Sequence, residues 1–371
     1  MHVALVDPSA FTPAYDHALA GALARRGAEV DLITSRFPHG SVPACEGYRV
    51  RELFYRGAAR LGPHSAARTP AKLAAHVPGM LRLRAATRHA DVVHFQWLAV
   101  PQVDVGLLPP RRPRVLTAHD VLPREPRPGQ LAATRRILRT VDAVVVHSEH
   151  GAARLRAEAG VPSGRIHVIP HGAFDHLTRQ ADEQPLPAEL AAVEAPVILF
   201  FGLVRPYKGA DVLIEAFREV EGAELWIIGM PRMSLEPLHE LAAWAPGTVR
   251  FVSRYVADAE IPALMRRADL VVLPYREIDQ SGVLYTALAF GRPLVLSAVG
   301  GLPEIAERHG AAELVPPGDA PALAAALRAL LADPQRRATL GAAAARAAAG
   351  PYSWDTVAGR TLALYEELLG R

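Results

Sequence analysis

The feature that most constrains the fold is an alternation of short apolar segments, rich in β-branched residues, with longer segments of helical periodicity. Such an alternation is typical of βαβ units, whose parallel strands are buried on both faces. In the first half of the chain it predicts strands at His2–Val6, Glu29–Ile33, Asp91–Phe95, Arg114–Thr117, Ala143–Val146 and Ile166–Ile169. The helices predicted in this half are Tyr15–Arg26, Ala71–Arg88, Gln130–Thr140 and Glu149–Ala159.

The alternation is interrupted between His171 and Pro196 and then begins again. The interval holds three prolines and several acidic residues without a clear period, which favours a connection between two domains. Beyond it, strands are predicted at Val197–Phe201, Glu224–Ile228, Val249–Val252, Leu270–Leu273, Pro293–Leu296 and Glu313–Val315. The helices predicted there are Ala210–Val220, Leu235–Trp244, Glu260–Arg267, Val283–Phe290, Ala320–Ala332, Pro334–Ala348 and Tyr352–Leu369. We therefore expect two doubly wound domains, each with a ligand crevice at the carboxyl ends of its strands.

Length and cysteine content limit the alternatives. A chain of 371 residues is long enough for two substantial cores, and a single cysteine excludes an intrachain disulfide and any centre built from several cysteines. The start of the chain lacks a signal-peptide pattern, and no window is apolar for the roughly 18 residues of a membrane span. We expect a cytoplasmic protein, either soluble or peripheral at the inner face of the membrane.

Positive charge is concentrated in the first half. Residues 51–140 contain fifteen arginines and Lys72 against five acidic residues, although the net charge of the whole chain is only +3. Such a surface fits an anionic membrane or an acidic ligand, and an arginine-rich solvated surface stays open as the simpler interpretation. Aromatic residues are not interleaved with the arginines, so we do not expect a nucleic-acid partner.

The segment Phe200–Gly209, FFGLVRPYKG, is the most informative motif. An apolar strand runs into a loop bounded by Gly202 and Gly209, and a helix follows. Glycine allows close approach of the backbone to an anion, and the helix start offers free N–H groups and a positive dipole end. Because Arg205 and Lys208 add full positive charge, the segment predicts a diphosphate-binding loop.

Two further loops follow strands in the second half. In Pro274–Val283, Ser281 is a natural N-cap and Gly282 exposes the first-turn amides, which predicts a second anion site. Glu277 and Asp279 resemble a metal-binding pair, but no further ligand is evident and we predict no metal. In Ser297–Glu304, paired glycines and a carboxylate fit either a sugar-binding loop or an ordinary tight turn.

These three motifs in this order, followed by VPPGD at 315–319, resemble the family 4 retaining glycosyltransferases of the GT-B fold. The resemblance covers most of the chain and is strongest from 197 to 320. It implies two Rossmann-like domains facing a cleft, with an acceptor-binding domain at 1–175 and a donor-binding domain at 195–350. A C-terminal helix at 351–371 is expected to return to the first domain.

The resemblance also implies roles for single residues. Lys208 matches the phosphate-binding lysine of the family, whereas Arg205 stands three positions after the glycine that an arginine commonly follows. His119, in Thr117–Asp120 at the end of a strand, matches a histidine beside the donor sugar, and the three residues Arg205, Lys208 and His119 are the catalytic candidates. His94, on the preceding strand, is expected to be packed or to support the site.

The donor-binding residues that the resemblance implies are Gly202, Asp279, Gln280, Ser281, Gly282, Val283, Thr286 and Glu304. Two glutamates of the family pattern, eight positions apart, are replaced here by Ile278 and Thr286. Asp279 and Glu277 both stay open as substitutes for the first, and Thr286 offers a hydroxyl for the second.

The acceptor-binding residues implied are Ser9, Phe11, Thr12, Asp120 and Ser148. The loop that contains the first three lacks the glycine pair common in the family. Asp120 is also expected to orient His119, and Ser148 either lines the cleft or caps a helix.

The function expected is a metal-independent, retaining glycosyltransferase of hexosyltransferase type without a cofactor. It would take a nucleotide-diphosphate sugar as donor and a hydroxyl-bearing glycan, lipid-linked or small-molecule acceptor. A non-hydrolysing nucleotide-sugar epimerase and a noncatalytic two-lobed sugar- or nucleotide-binding protein are the alternatives. An NAD-dependent oxidoreductase is less favoured because no G-x-G-x-x-G motif follows a strand.

Overall fold

The structure is a computed structural model that describes residues 1–37, 42, 45–57, 68–110 and 113–370. The chain divides into two compact units. Unit 1 comprises Met1–Gly172 together with Trp354–Arg371, and unit 2 comprises Ala173–Ser353. No described helix combines the length and the apolar character needed to cross a bilayer.

Unit 1 is built on a parallel sheet that has seven strands within the described residues. Its strands are β1 His2–Asp7, β2 Glu29–Ser35, β3 Arg49–Phe54, β4 Val92–Phe95, β5 Arg114–Thr117, β6 Ala143–Val146 and β7 Ile166–Val168. Its helices are α1 Pro13–Arg25, α2 Arg68–Ala86, α3 Pro101–Leu107, α4 Gln130–Thr140, α5 Glu149–Arg154 and, from the end of the chain, α14 Trp354–Leu369. The strand order β3-β2-β1-β4-β5-β6-β7 reverses between β1 and β4.

Unit 2 repeats this plan with a parallel sheet that has six strands in the described chain. The strands are β8 Val197–Phe201, β9 Glu224–Ile228, β10 Val249–Val252, β11 Leu270–Leu273, β12 Leu294–Ser297 and β13 Ala312–Val315. The helices are α6 Ala188–Ala191, α7 Ala210–Phe217, α8 Glu236–Ala242, α9 Ile261–Arg267, α10 Gly282–Ala289, α11 Pro303–His309, α12 Ala320–Ala332 and α13 Pro334–Ala349. The order β10-β9-β8-β11-β12-β13 reverses between β8 and β11.

The central strands are apolar because helices cover both of their faces. Every residue of β4, β5, β6, β11 and β12 is buried. These strands carry the doubly wound α/β architecture that the alternation predicts, and in each unit the reversal of strand order creates a crevice at the carboxyl ends of the strands.

Helix α14 belongs to unit 1 although it follows unit 2 in the sequence. It packs against α1, where Asp355 accepts two hydrogen bonds from the Arg26 guanidinium at 3.0 and 2.9 Å. Beneath it, the Tyr365 hydroxyl lies 2.6 Å from Nδ1 of buried His94.

Several elements differ from the sequence prediction. Strand β3 and helices α3 and α11 were not predicted, and the predicted helix Glu149–Ala159 changes to a π-helix at Leu155. β3 is an edge strand whose arginines pair with acids of β2, with Arg49 Nε 2.7 Å from Asp31. Its charge therefore hides it from a search for apolar segments. The connection predicted between His171 and Pro196 lies within unit 2 from Ala173 onward and contains α6.

Candidate functional site: a cationic loop in unit 2 and a histidine cluster in unit 1

The loop between β8 and α7 lies at the point where the strand order of unit 2 reverses. The chain leaves β8 at Gly202, passes Arg205 and makes a 3-10 turn at Pro206–Lys208. In doubly wound sheets this is the position where ligands bind. The geometry thus places the two predicted cations of the loop at the crevice of unit 2.

Lys208 is held inside this loop. Lys208 is only 8% exposed, and its Nζ lies 5.1 Å from the centre of the Tyr275 ring. A Cβ added to Gly202 would lie 3.5 Å from Nζ and 3.0 Å from Cγ2 of Val283. The side chain therefore lies beside Gly202 and the first turn of α10, which brings two predicted donor-binding residues, Gly202 and Val283, next to a catalytic candidate.

The neighbouring loop, after β11, is tied to the first. The Arg276 guanidinium donates to both carboxylate oxygens of Asp211 in α7, at 2.8 and 2.6 Å, and the Arg276 backbone N–H donates to the Tyr207 carbonyl at 2.8 Å. This pairing lowers the pKa of Asp211, although burial acts in the opposite direction. At Gly209, an added Cβ would lie 2.0 Å from the carbonyl oxygen of Pro274, so the two loops meet through their backbones.

The segment before α10 differs from a simple serine cap. Ser281 occupies the N-cap position, but its hydroxyl makes no capping bond and lies 3.2 Å from the Tyr275 hydroxyl. The Ser281 amide instead donates to the side-chain oxygen of Gln280 at 3.1 Å. The Thr286 hydroxyl donates a hydrogen bond to the Gly282 carbonyl at 3.1 Å. The hydroxyl offered in place of the second family glutamate is therefore a donor within α10.

The remaining predicted donor residues lie on adjoining loops. Asp279 is buried whereas Glu277 is exposed, and the Asp279 carbonyl accepts from the Gly301 amide at 3.4 Å. Glu304 stands in the first turn of α11, where it pairs with Arg308 at 3.4 Å. Ser297–Glu304 is therefore partly helical, and it adjoins the loop after β11.

In unit 1 the loop after β1 folds around a carboxylate. Asp7 accepts hydrogen bonds from the backbone N–H groups of Ser9 at 3.0 Å and Thr12 at 3.2 Å, and also from that of Phe11. The Thr12 hydroxyl accepts from the indole N–H of Trp97 at 2.9 Å, and the exposed Phe11 ring packs 4.6 Å from the Trp97 ring. Two of the three predicted acceptor residues of this loop, Phe11 and Thr12, thus contact the loop after β4.

His119 lies two residues after the end of β5 in a cluster of aromatic rings. Its ring stacks on Trp97 at 5.1 Å and meets Tyr15 edge-on at 4.7 Å. Burial and the neighbouring histidines hold the pKa of His119 well below its usual value. Burial also lowers the pKa of His147 to about 4. Both rings are therefore neutral at pH 7.

The hydrogen bonds assign the tautomers of the two neutral rings. His147 Nδ1 lies 3.0 Å from the Ile169 carbonyl, which only accepts, so this nitrogen carries the proton. His147 Nε2 then accepts from His119 Nδ1 at 3.1 Å. His119 Nε2 is consequently an unprotonated acceptor, and it is buried with no hydrogen-bond partner among the described residues.

Three further predicted residues of unit 1 make hydrogen bonds that bear on their expected roles. Asp120 was expected to orient His119, but His147 bonds the ring and Asp120 pairs with Arg124 at 3.2 Å. Ser148 is the N-cap of α5, where its hydroxyl accepts from the Gly151 amide at 3.1 Å. His94 is packed as expected, between Tyr365 and the Thr117 hydroxyl.

Sequence reasoning missed Trp97, Tyr275 and the contact of His147 with His119, because each of these residues acts through a partner far away in the sequence. Their common signal is position directly after a strand, or two residues after it, where side chains reach the crevice. Within the described ranges, no group of three or more His, Cys, Asp and Glu side chains is arranged to hold a metal ion.

Two Rossmann-like units of this kind, with ligand loops where each strand order reverses, are the architecture of the GT-B class. Residues 195–333 match the family model described as glycosyl transferases group 1, and residues 15–173 match that of glycosyltransferase family 4. The chain is 32% identical to a D-inositol 3-phosphate glycosyltransferase of Xylanimonas cellulosilytica, with 95% of this chain and 90% of the relative covered. It is 29% identical to the enzyme of the same description from Kineococcus radiotolerans, over 94% of this chain and 88% of the relative.

Solved structures agree on the fold. A sucrose-phosphate synthase from Thermosynechococcus elongatus superposes with a TM-score of 0.78 at 23% identity, covering 100% of this chain and 99% of the other. The HepE protein of Anabaena in complex with UDP-glucose gives 0.73 at 20% identity, covering 99% and 100%. The protein belongs to the family 4 glycosyltransferases of the GT-B fold and is a glycosyltransferase.

Proposed function

We propose that this enzyme transfers a sugar from a nucleotide-diphosphate sugar to an acceptor hydroxyl with retention of anomeric configuration and without a metal ion. The observation that carries the proposal is Lys208, a lysine held against Gly202 and Tyr275 at the reversal of strand order in unit 2. A lysine ammonium is a strong point-charge partner for phosphate, and the strand-to-helix loop at a reversal of strand order is where doubly wound domains bind such ligands.

The chemistry assigned to unit 2 is stabilisation of the leaving group. As the bond between the anomeric carbon and the diphosphate oxygen breaks, negative charge grows on the phosphate. Lys208, Arg205 and the free amides at the start of α10 lie on adjoining loops and supply positive charge to it. This arrangement provides the charge compensation that a metal ion supplies in other phosphate sites.

Retention follows if the acceptor oxygen attacks from the face that the phosphate leaves. The new bond joins that oxygen to the anomeric carbon, and the leaving phosphate accepts the hydroxyl proton. We assign His119 Nε2, an acceptor of low basicity, to a hydrogen bond with a substrate hydroxyl rather than to proton abstraction.

The comparisons suggest which substrates to test first. The HepE structure contains UDP-glucose, and the curated relatives are described as D-inositol 3-phosphate glycosyltransferases. A screen should offer UDP-, GDP- and dTDP-sugars and measure release of the nucleoside diphosphate with and without inositol 3-phosphate. Acceptor-dependent release of one nucleotide is expected.

The same reactions test retention and metal independence. The anomeric proton coupling of the product, measured by NMR, should show the configuration of the donor, and EDTA should leave the rate unchanged. Inversion, or loss of activity restored by Mg²⁺, would contradict these parts of the proposal. Epimerised donor in the absence of acceptor would favour the epimerase alternative.

Peripheral contact with an anionic membrane is a separate part of the proposal and rests on the arginine-rich segment 51–140. Sedimentation with anionic vesicles at low salt should bring the enzyme down, and neutral vesicles should leave it in solution. Equal behaviour with both vesicle types would remove this part and leave the catalytic proposal unaffected.

A further inference from the structure

A cavity of about 150 Å³ opens in unit 1 at the ends of β4 and β5. Much of its wall is apolar and comes from these strand ends, from the start of α3 and from α4. The apolar contributors include Leu98, Pro101, Leu116, Val121, Ile137 and Leu138. A cavity of this size and character is large enough for a benzene-sized group.

Two polar side chains of the wall are unusual because they lack hydrogen-bond partners. Gln96 is 0% exposed, and neither its amide nitrogen nor its amide oxygen has a hydrogen-bond partner among the described residues. His119 also lines the cavity, and its Nε2 is the unpartnered acceptor identified above. Buried polar groups are almost always paired in folded proteins, so this pair of side chains points to a ligand group that completes them.

The chemistry of the wall defines that ligand group. The Gln96 amide offers N–H donors and an acceptor oxygen, and His119 Nε2 only accepts. A hydroxyl is the smallest neutral group that can both accept from an amide N–H and donate to an imidazole nitrogen. No arginine or lysine is among the described residues that line the cavity, so a phosphate would be desolvated there without a compensating charge.

We propose that this cavity binds the acceptor through an uncharged alcohol: an apolar ring or short chain fills it, and the hydroxyl group bonds Gln96 and His119. The inference rests on the proposed function, in which unit 1 holds the acceptor. It makes Gln96 a specificity residue that selects a hydroxyl on an apolar body and leaves any phosphate of the acceptor outside the cavity.

The test compares two ligands in two proteins, using the full chain. Benzyl alcohol and toluene have nearly the same shape, and only the first carries a hydroxyl. Ligand-observed NMR or calorimetry should show benzyl alcohol bound about tenfold more tightly than toluene by the wild type. In Gln96→Leu that preference should disappear or reverse, because the substitution keeps the volume and removes both polar atoms.

Stability supplies an independent readout. Since the amide of Gln96 is unpaired in the free protein, Gln96→Leu should melt at or above the wild-type temperature. A clear loss of stability would show that the fold itself uses the amide and would contradict the inference. Gln335→Leu, the same change at an exposed position of α13, controls for the substitution. Thr134→Phe, which fills the cavity from α4, should abolish binding of both ligands.

Two further arms separate this inference from the proposed function. Binding of the nucleoside diphosphate identified by the screen depends on unit 2 and should be unchanged in Gln96→Leu. If that nucleotide binds and neither aromatic ligand does, the cavity inference alone fails; if none of UDP, GDP and dTDP binds the wild type, the proposed function fails. Replacing benzyl alcohol by 1-hexanol tells an aromatic acceptor from an aliphatic one, and an equal preference in wild type and Gln96→Leu overturns the role of Gln96.

Discussion

At the residue scale, the site depends on side chains whose protonation is fixed by burial. Within the described part of unit 1, His94, His147 and His171 are buried and the half-buried His119 lies beside His147, and burial is the largest cause of the lowered pKa of each. Neutral rings can both donate and accept, so they form a directed chain from the Ile169 carbonyl to His119 Nε2.

His147 is a positioning residue for His119, and its replacement tests the chain. His147→Ala should lower kcat by roughly ten- to a hundredfold, since a ring displaced by about 1 Å loses its alignment, while UDP binding stays at the wild-type level. His147→Gln keeps one donor for Ile169 and one acceptor for His119, so it should recover most of the rate. Equal losses in the two variants would mean that the ring acts only by packing.

A second prediction concerns the buried carboxyl pair beneath the loop after β1. Asp16 is buried and hydrogen-bonded to Asp7; burial and the Asp7 charge raise its pKa well above the usual value. An asparagine at this position can donate the same hydrogen bond without a titrating proton. Asp16→Asn should therefore raise the melting temperature at pH 7, by 2–4 °C for each roughly 1 kcal/mol gained, and the gain should shrink toward pH 4. A lower melting temperature at every pH would contradict the protonated state of Asp16.

At the element scale, the position of Lys208 depends on contacts between two loops rather than on the helices that follow them. In unit 2 the loop after β8 and the loop after β11 are joined by Arg276 and by the close approach of Gly209 to Pro274. The loop that carries Lys208 is thus positioned by its neighbour. The sequence predicts a phosphate-binding loop here. It does not predict the contact between the two loops, because Gly209 and Pro274 are far apart in the chain.

Two glycines offer a matched test of this joining. Gly209 and Gly222 both have left-handed backbone, with φ of +65° and +70°, but nothing lies within 4 Å of a Cβ added to Gly222. Gly222→Ala should cost about 1–2 kcal/mol of unfolding free energy from backbone conformation alone. Gly209→Ala should cost more and should also weaken UDP binding, as measured by urea unfolding and calorimetry. Equal costs would contradict the close contact between the two loops.

The elements themselves were largely predictable. The periodicity of buried strands and amphipathic helices is local, so β5, β6, β8, β9, β10 and β11 begin and end where the sequence predicts. β3 was missed because it is charged rather than apolar. Its arginines are stabilised in the sheet by acids of β2, and no local sequence pattern identifies that partner strand. The same distinction holds for the site. Arg205, Lys208 and His119 could be predicted from local motifs, whereas the roles of Gln96, His147 and Tyr275 arise from tertiary contacts that the sequence does not reveal.

At the scale of the whole molecule, the buried histidines make unit 1 sensitive to acid. The pKa values of His17 and His147 are lowered to about 4 and that of His94 to about 3, while an unfolded histidine titrates near 6.5. Between these values the unfolded chain binds more protons than the folded one, so stability falls as the pH drops below 6.5. Each of these groups contributes about 2 kcal/mol of loss at pH 5.

This linkage predicts that unit 1 unfolds at mild acidity. The raised pKa values of Asp7 and Asp16 act in the opposite direction and offset part of the loss. The summed loss approaches the stability of a typical domain, so the near-UV circular dichroism signal of unit 1 should decline between about pH 6 and pH 4.5. His94→Gln should shift the midpoint to lower pH; a flat signal down to pH 4 would contradict the neutral histidine cluster.

The central claim is that unit 2 neutralises a departing diphosphate through Lys208. The most direct measurement is the steady-state kcat of Lys208→Ala with the donor identified by the screen, alongside Arg346→Ala, which removes one exposed positive charge from α13 of the same unit. Lys208→Ala should fall by about 10²–10³-fold with a folded circular dichroism spectrum, and Arg346→Ala should match the wild type. A folded Lys208→Ala enzyme that turns over at the wild-type rate would contradict the claim.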